Sequence, residues 1–216
     1  GIKIAKGEYI LLLNPDTKVP EDNFDIMINF MKAHPIVGMA GCKLIKGDGT
    51  IDLACRRSEP DPRVSFYRLS GLQFLFPKTF GAYNVLDKGF DQETEIDCIS
   101  GAYMMITREC LRTIVGFDED FFMYGEDIDL CRRARQAGFK VWYYPGTWSY
   151  HYKGQSSKKV SKFSLFHFHN AMWIYYRKHY KHHSNFIMNG LVYLGIWARY
   201  YLKLVINHFK SDKAIS

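Results

Sequence analysis

Apolar positions along this chain change their spacing several times, and each change marks an element. Residues 8–13 (EYILLL) run apolar almost without a break, the pattern of a strand covered on both faces, as in a parallel sheet. The run stops at Asn14-Pro15-Asp16-Thr17, residue types that favour a turn beyond the strand's carboxyl end. Pro20-Glu21-Asp22 then opens a helix reaching Ala33, since proline fits the first helical turn and acids complement the positive end of the helix dipole. Phe24, Ile28 and Met31 form its expected apolar face. A second strand follows at 36–45, and Lys46-Gly47-Asp48-Gly49 reads as a hairpin turn.

Further on, Pro60 and Pro62 mark a loop, 64–76 has a helical pattern, and 77–94 reads as irregular. Residues 95–107 read as one strand containing Ser100-Gly101-Ala102, 108–115 as a short helix, 127–137 as a helix closed by Gly138, and 139–144 as the next strand. Beyond His151 the pattern changes to two basic, aromatic helices, about 162–183 and 185–209. Strands alternating with helices predict an α/β fold, and 216 residues suit one large domain or a domain with an appendage.

Charge sharpens that division. The net charge of +7 hides a tail: residues 151–216 hold 11 Lys/Arg against Asp212 alone, while residues 1–150 carry a net −3. Such a tail is drawn to anionic surfaces, nucleic acid or lipid head groups. No recognisable nucleic-acid motif accompanies it, so nucleic acid is not the expected partner. The apolar run 186–198 is 13 residues long and contains Asn189, short of the roughly 20 apolar residues a membrane span needs. Its Tyr, Trp, Arg and Lys suit the head-group zone instead, and predict contact with a membrane surface. The competing reading is a helix pair packed on the domain or on a second copy, giving a homodimer. The tail histidines His167, His169, His179, His182 and His183 match no familiar metal spacing. Five scattered cysteines without a C-x-x-C pair argue against a zinc knuckle or disulfide scaffold and suit a reducing compartment.

Candidate chemistry concentrates in Tyr124-Gly125-Glu126-Asp127-Ile128-Asp129-Leu130-Cys131-Arg132-Arg133. Three carboxylates in four residues suit either the first turn of a surface helix, with Asp129 and Arg133 as an i,i+4 pair, or a loop delivering a catalytic base. Asp16 at the end of a strand suits either a simple turn or a carboxylate holding a divalent metal beside a phosphate.

Four blocks occur in order: GEYILLLNPDT, DCISGAYMMITRE, VGFDEDFFMYGEDIDLCRRARQAGFKVWYYP and HYKGQSS. Together they resemble glycosyltransferase family 2, inverting enzymes of the GT-A fold, and within it the rhamnosyltransferase-like branch of bacterial surface polysaccharide synthesis. The likeness covers about residues 1–160 and leaves 161–216 as a separate helical tail. It implies a GT-A-like, partly Rossmann-like mixed sheet flanked by helices.

The resemblance also assigns roles. Asp16 matches the last acid of the DXD-type motif that holds a metal on the nucleotide diphosphate, with Asn14 in the first acid's position. His151 matches a histidine completing the metal's ligands, and an imidazole ligand favours Mn2+ over Mg2+. Asp127 matches the general base, with Glu126 beside it to orient the base or contact the donor sugar. Ser100, Gly101 and Ala102 match a block lining the donor-sugar site, with Asp97 a weaker sugar contact; Phe121, Phe122 and Tyr124 are candidates for an acceptor wall. Arg132 faces either the diphosphate or solvent, and Lys153, Lys158 and Lys159 are candidates for a lid. The implied donor is a dTDP- or UDP-sugar, the acceptor a glycan or lipid-linked glycan, and the location the inner face of the cell membrane. Family members carry a nucleotide-binding half ahead of the GEYILLLNPD strand, so the resemblance implies a chain that lacks it and is inactive alone. The rival expectation is a non-catalytic module that keeps the fold.

Overall fold

The computed structural model describes residues 1–61, 85, 89–152 and 162–209. The helix expected at 64–76, most of the irregular stretch at 77–94, and Lys153, Lys158 and Lys159 lie outside the described residues. The chain divides into two compact units, Gly1–Asp118 with Asp127–Ser156, and Glu119–Glu126 with Ser157–Ser216.

The first unit is built on a mixed sheet. Its strands are β1 (Tyr9–Leu13), β2 (Thr17–Lys18), β3 (Val37–Lys46), β4 (Thr94–Glu95), β5 (Tyr103–Thr107) and β6 (Lys140–His151), in the order β1-β5-β3-β6-β2, with β4 also on β6. Among the described residues only the β3–β6 pair is parallel. The 8–13 strand, expected in a parallel sheet, therefore pairs antiparallel, Tyr9 opposite Thr107 and Leu13 opposite Tyr103. Only Ile10 of β1 is buried; Leu11 and Leu12 are half-buried. An unbroken apolar run reports cover on both faces and carries no information about direction.

Helix α1 (Asn23–Ala33) starts three residues later than the proline suggested, after a turn in which Asn23 N donates to Pro20 O. Its buried face is Asn23, Met27, Phe30 and Met31, while Phe24 is exposed and Ile28 half-buried. The face is rotated because a polar residue belongs to it. The Asn23 amide donates to Thr147 Oγ1 and to the Trp148 carbonyl, both at 3.0 Å, and its oxygen accepts from the Tyr103 hydroxyl.

Those bonds explain why β6 continues past Tyr144. Opposite β3 the pairing jumps from Cys42–Tyr144 to Lys43–Trp148, so Pro145, Gly146 and Thr147 bulge out. Proline has no N–H for the ladder, and the pairing resumes only because Asn23 satisfies the polar groups that the bulge strands. The single strand expected at 95–107 is instead β4 and β5 with an irregular segment between them, which holds Ser100-Gly101-Ala102.

Short helix α2 (Arg108–Thr113) is capped by the Thr107 side chain, and α3 (Glu126–Gln136) is closed by Gly138 at φ +90°. Between sheet and helices lies one core, in which Met27, Met39, Met104, Ile106, Leu130 and Tyr143 are fully buried.

The second unit pairs α4 (Lys162–His179) with α5 (Phe186–Phe209), joined by a 3-10 turn at Lys181–His183. Trp173 packs edge-on to Tyr193 and Phe166 lies against Trp197. Asn189, the polar residue in the apolar run, accepts from Tyr176 Oη and donates to Lys181 O and Ser184 O, holding the turn. His169 is buried, with Nδ1 2.8 Å from the Leu165 carbonyl and Nε2 2.9 Å from Arg199 Nη1. A guanidinium only donates, so Nε2 accepts and His169 is a neutral, structural imidazole. As the tail's composition foretold, no helix among the described residues is long and apolar enough to cross a membrane.

Candidate active site

The first unit's chemistry gathers where β1, β2 and β6 end. β2 pairs antiparallel with the last residues of β6, Thr17 opposite His151, and Tyr152 N donates to Asp16 O at 2.9 Å. That register sets Asp16 beside His151, with His151 Nε2 3.4 Å from Asp16 Oδ1. The two residues the sequence paired as metal ligands, 135 positions apart, are thus neighbours.

Asp16 Oδ1 is shielded from solvent and accepts no hydrogen bond. Two donors bound to one divalent ion at about 2.1 Å stand about 3.0–3.5 Å apart, so the spacing fits a shared cation. Among the described residues no group of three His, Cys, Asp or Glu side chains is arranged to hold a metal. An ion here would take its other ligands from a diphosphate and water, as Mg2+-type ions commonly do.

Asp127 is the second residue of α3, and both its oxygens are engaged. Oδ1 accepts from the following N–H, Ile128 N, at 2.8 Å; Oδ2 accepts from Gly101 N at 3.1 Å and Arg57 Nη2 at 2.6 Å. The carboxylate is therefore fixed in orientation and only partly exposed. The Ser100-Gly101-Ala102 segment links it to the metal-side turn. Ala102 O accepts from Asn14 N and Thr17 Oγ1, both at 3.1 Å, while the next N–H upstream holds Asp127. Ser100 and Ala102 are buried and act as scaffold, so Gly101 is the accessible member of the three. A Cβ on Gly101 would lie 3.4 Å from Asp127 Cβ, directly beside the carboxylate.

Two residues at this site were not singled out in the sequence. Arg57 grips Asp127 and donates to Ile99 O at 3.0 Å, and its backbone bridges Cys98. Asp52 is buried and sits 3.1 Å from His151 Nδ1. Both contacts cross long stretches of chain without a motif, so only the folded structure reveals them.

Other expectations change. Arg132 does not stand free in solvent: its guanidinium pairs with Glu59, as does that of Arg135. Asp97 is held by Glu59 N at 2.9 Å and Arg135 Nη1 at 3.2 Å, and so belongs to this network. The network ties residues 57–59 along α3, because two arginines one helical turn apart reach one carboxylate. Asp129 is fully buried and bonded to Arg133 at 2.7 Å, the structural role expected.

Glu126, Phe122 and Tyr124 belong to the second unit. There Phe121 is buried, while Phe122 packs edge-on to Phe163 and tilted against His167, and Tyr124 packs edge-on to Phe168. Phe122 and Tyr124 remain exposed, and Glu126 is half-buried. Tyr124 and Gly125 both adopt left-handed backbone, φ +68° and +81°. A non-glycine residue in that region is uncommon and is found most often where function fixes the local path.

Sequence and fold comparisons place these residues in context. Rhamnosyltransferase WbbL of Escherichia coli K12 is 28% identical over 149 residues, 68% of this chain and 53% of that protein. The N-acetylglucosaminyl-diphospho-decaprenol L-rhamnosyltransferase of Mycobacterium tuberculosis H37Rv is 24% identical over 168 residues, 78% of this chain and 54% of that protein. The chain thus spans about half the length of these curated relatives. Among solved structures, GalNAc-T7 with UDP, GalNAc and Mn2+ superposes with a TM-score of 0.50 at 13% identity, over 80% of this chain and 32% of that one. That likeness, with the mixed sheet flanked by helices, fits the GT-A-like fold expected from the sequence. The sequence profile described as "Glycosyltransferase like family 2" matches residues 1–165, and the chain belongs to that family.

Proposed function

We propose that this chain carries the metal-side and base-side residues of an inverting glycosyltransferase of polysaccharide synthesis. The single observation behind the reading is the pairing of Asp16 Oδ1 with His151 Nε2 at 3.4 Å, coupled through Asn14, Ala102 and Gly101 to Asp127. The reaction is transfer of a sugar from a nucleotide diphosphate to a glycan hydroxyl. The likeness to rhamnosyltransferases favours rhamnose on a dTDP carrier, with a UDP-sugar as the other candidate.

Asp16 and His151 would hold a divalent ion, and their mixed oxygen and nitrogen set favours Mn2+. Bound there, the ion would supply the positive charge that offsets the departing diphosphate. Asp127 takes the proton from the acceptor hydroxyl as its oxygen attacks the anomeric carbon. Arg57 and Gly101 N hold Oδ2, so a lone pair of Oδ1 is left to receive that proton. Attack opposite the leaving group in one step inverts the anomeric centre. Glu126 adjoins the base in sequence and is proposed to contact the donor sugar or steady Asp127.

The acceptor is proposed to be lipid-linked. The M. tuberculosis relative is named for a decaprenol-borne acceptor. In addition, Ile187, Leu191, Leu194, Leu202 and Val205 leave one side of α5 apolar and exposed, with Arg199 and Lys203 beside it. That arrangement suits a helix lying in the head-group zone of the membrane's inner face. Flotation with anionic liposomes should carry the chain to the lipid layer; flotation unaffected by removing residues 185–216 ends this part of the reading, and a self-associating α5 would give a dimer instead.

The reaction itself is tested on the full-length gene product, supplied with dTDP-rhamnose or UDP-sugars and a polyprenyl-diphosphate glycan. Transfer that stops in EDTA, returns with Mn2+ and yields an anomer opposite to the donor's is expected. Metal-independent transfer or a retained anomer refutes the proposal, and nucleotide-sugar binding without turnover identifies a non-catalytic module.

A further inference from the structure

We infer that Asp52 is a positioning residue for His151, fixing which imidazole nitrogen faces the cation. The inference rests on the reading of Asp16 and His151 as metal ligands. His151 lies between two carboxylates that meet it differently. Nδ1 is hydrogen-bonded to Asp52 Oδ2 at 3.1 Å, whereas Nε2, 3.4 Å from Asp16 Oδ1, makes no hydrogen bond to it. An ionised carboxylate can only accept, so Asp52 requires the proton on Nδ1. The Nε2 lone pair is then directed at Asp16, where a metal would need it. A ligating imidazole commonly donates its other N–H to a carboxylate, which sets tautomer and ring orientation together.

Asp52 is built to hold this position. The residue is buried at 3% exposure, and its second oxygen, Oδ1, accepts from Ala54 N at 3.1 Å, capping the 3-10 turn Leu53–Cys55. Its backbone N–H donates to Leu44 O at 2.8 Å on β3. The hairpin after β3 folds back through the Ile45–Ile51 bridge, and β3 itself pairs Lys46 with His151 on β6. Asp52 and His151 are therefore referenced to one strand, which explains how residues 99 positions apart keep a fixed distance. A carboxylate needed only to cap three residues of 3-10 turn could stand in the solvent; this one is buried against an imidazole.

Two measurements on the chain test the inference. The first is the tautomer of neutral His151, read by long-range nitrogen–proton NMR on the metal-free chain. The proton is expected on Nδ1 in the wild type and on Nε2, donated to Asp16, in Asp52→Ala. A wild-type proton on Nε2, or an unchanged tautomer in Asp52→Ala, overturns the inference.

The second is Mn2+ affinity, by calorimetry or by the spectrum of free Mn2+. Asp52→Ala should bind about 10–100-fold more weakly than wild type. Asp52→Asn has one oxygen for the two donors Nδ1 and Ala54 N and should bind with an affinity between wild type and Asp52→Ala; if Asp52→Ala does not fold, the wild-type tautomer still decides. Equal affinity in wild type and a folded Asp52→Ala overturns the inference. A wild type that binds no Mn2+ even with a nucleoside diphosphate present refutes the metal reading instead, and the tautomer alone then decides the role of Asp52.

Discussion

Replacing Asn23 with alanine should destabilise the chain well beyond what its small size suggests. Asn23 is fully buried and makes three hydrogen bonds: two donated into the β6 bulge and one accepted from Tyr103. Each is worth about 1 kcal/mol net, and stranding a buried partner costs more than that, so a loss of about 3 kcal/mol is expected. Tyr103→Phe removes one bond and should cost about 1–1.5 kcal/mol, although the hydroxyl leaves no charged group behind. Because the two side chains share a bond, the double variant should lose less than the two single losses combined, by about 0.5–1 kcal/mol. Urea titration followed by the fluorescence of the sheet tryptophans, Trp142 and Trp148, measures all three. A loss below about 0.5 kcal/mol for Asn23→Ala, the level of an ordinary surface change, would refute the claim that this residue carries β6 across its bulge.

Other consequences are as direct. Gly125 has φ +81° and a Cβ there would lie 3.3 Å from the Phe121 ring, whereas Gly138 at φ +90° has open space around it. Gly138→Ala should therefore cost about 1 kcal/mol from backbone conformation alone and Gly125→Ala measurably more, by thermal unfolding; equal losses contradict the packing argument. Burial pushes the thiols of Cys42 and Cys110 up to about 12 and that of Cys55 up to about 11. Folding keeps these groups neutral, so the stability they contribute is whole below the unfolded thiol value of about 8.5 and is lost as pH climbs towards 11–12. Urea midpoints should fall between pH 8 and pH 10.5, and a thiol reagent at pH 8 should label native chain far more slowly than unfolded chain; fast native labelling contradicts this. Burial holds His169 below the ordinary histidine value, with Arg199 and Lys203 adding to the effect against an opposing bond to Leu165 O. A depressed value means its contribution is present above about pH 6.5 and lost as pH falls through the folded value. Trp173 and Trp197 emission should shift to the red as the α4–α5 pair loosens on acidification, and an unchanged emission down to pH 4.5 contradicts the role given to His169.

The strands and helices were legible because apolar runs and turn residues are local signals. The roles proposed for Asp16, His151 and Asp127 come from the resemblance, and what the structure adds is that Asp16 and His151 are neighbours. What escaped was non-local. The Tyr9–Leu13 run suggested a parallel sheet, yet it pairs antiparallel, because an apolar run reflects the cover on a strand's faces and the direction is set by a partner far along the chain. Asn23 was absent from the expected helix face, and its burial depends on a bulge more than 120 residues later. The reading ended β6 at Tyr144 because Pro145-Gly146 usually stops a strand, and here a side chain from α1 bridges the gap. Arg57 and Asp52 sit in a stretch without periodicity, and their partners Asp127 and His151 lie 70 and 99 residues away. Arg132 was read by its position on a helix, which fixes its direction but not that Glu59 waits there.

The central claim, that Asp127 is the base of an inverting sugar transfer, is tested most directly by Asp127→Asn in the full-length gene product. The amide keeps the shape, and its one oxygen can still accept from Arg57 and Gly101 N at the cost of the bond from Ile128 N, but it cannot take a proton. Transfer should fall by about 10²–10⁴-fold, the span general-base catalysis supplies, while nucleotide-sugar binding by calorimetry stays within about threefold. Transfer within tenfold of wild type, with binding intact, would contradict the assignment and move the base elsewhere.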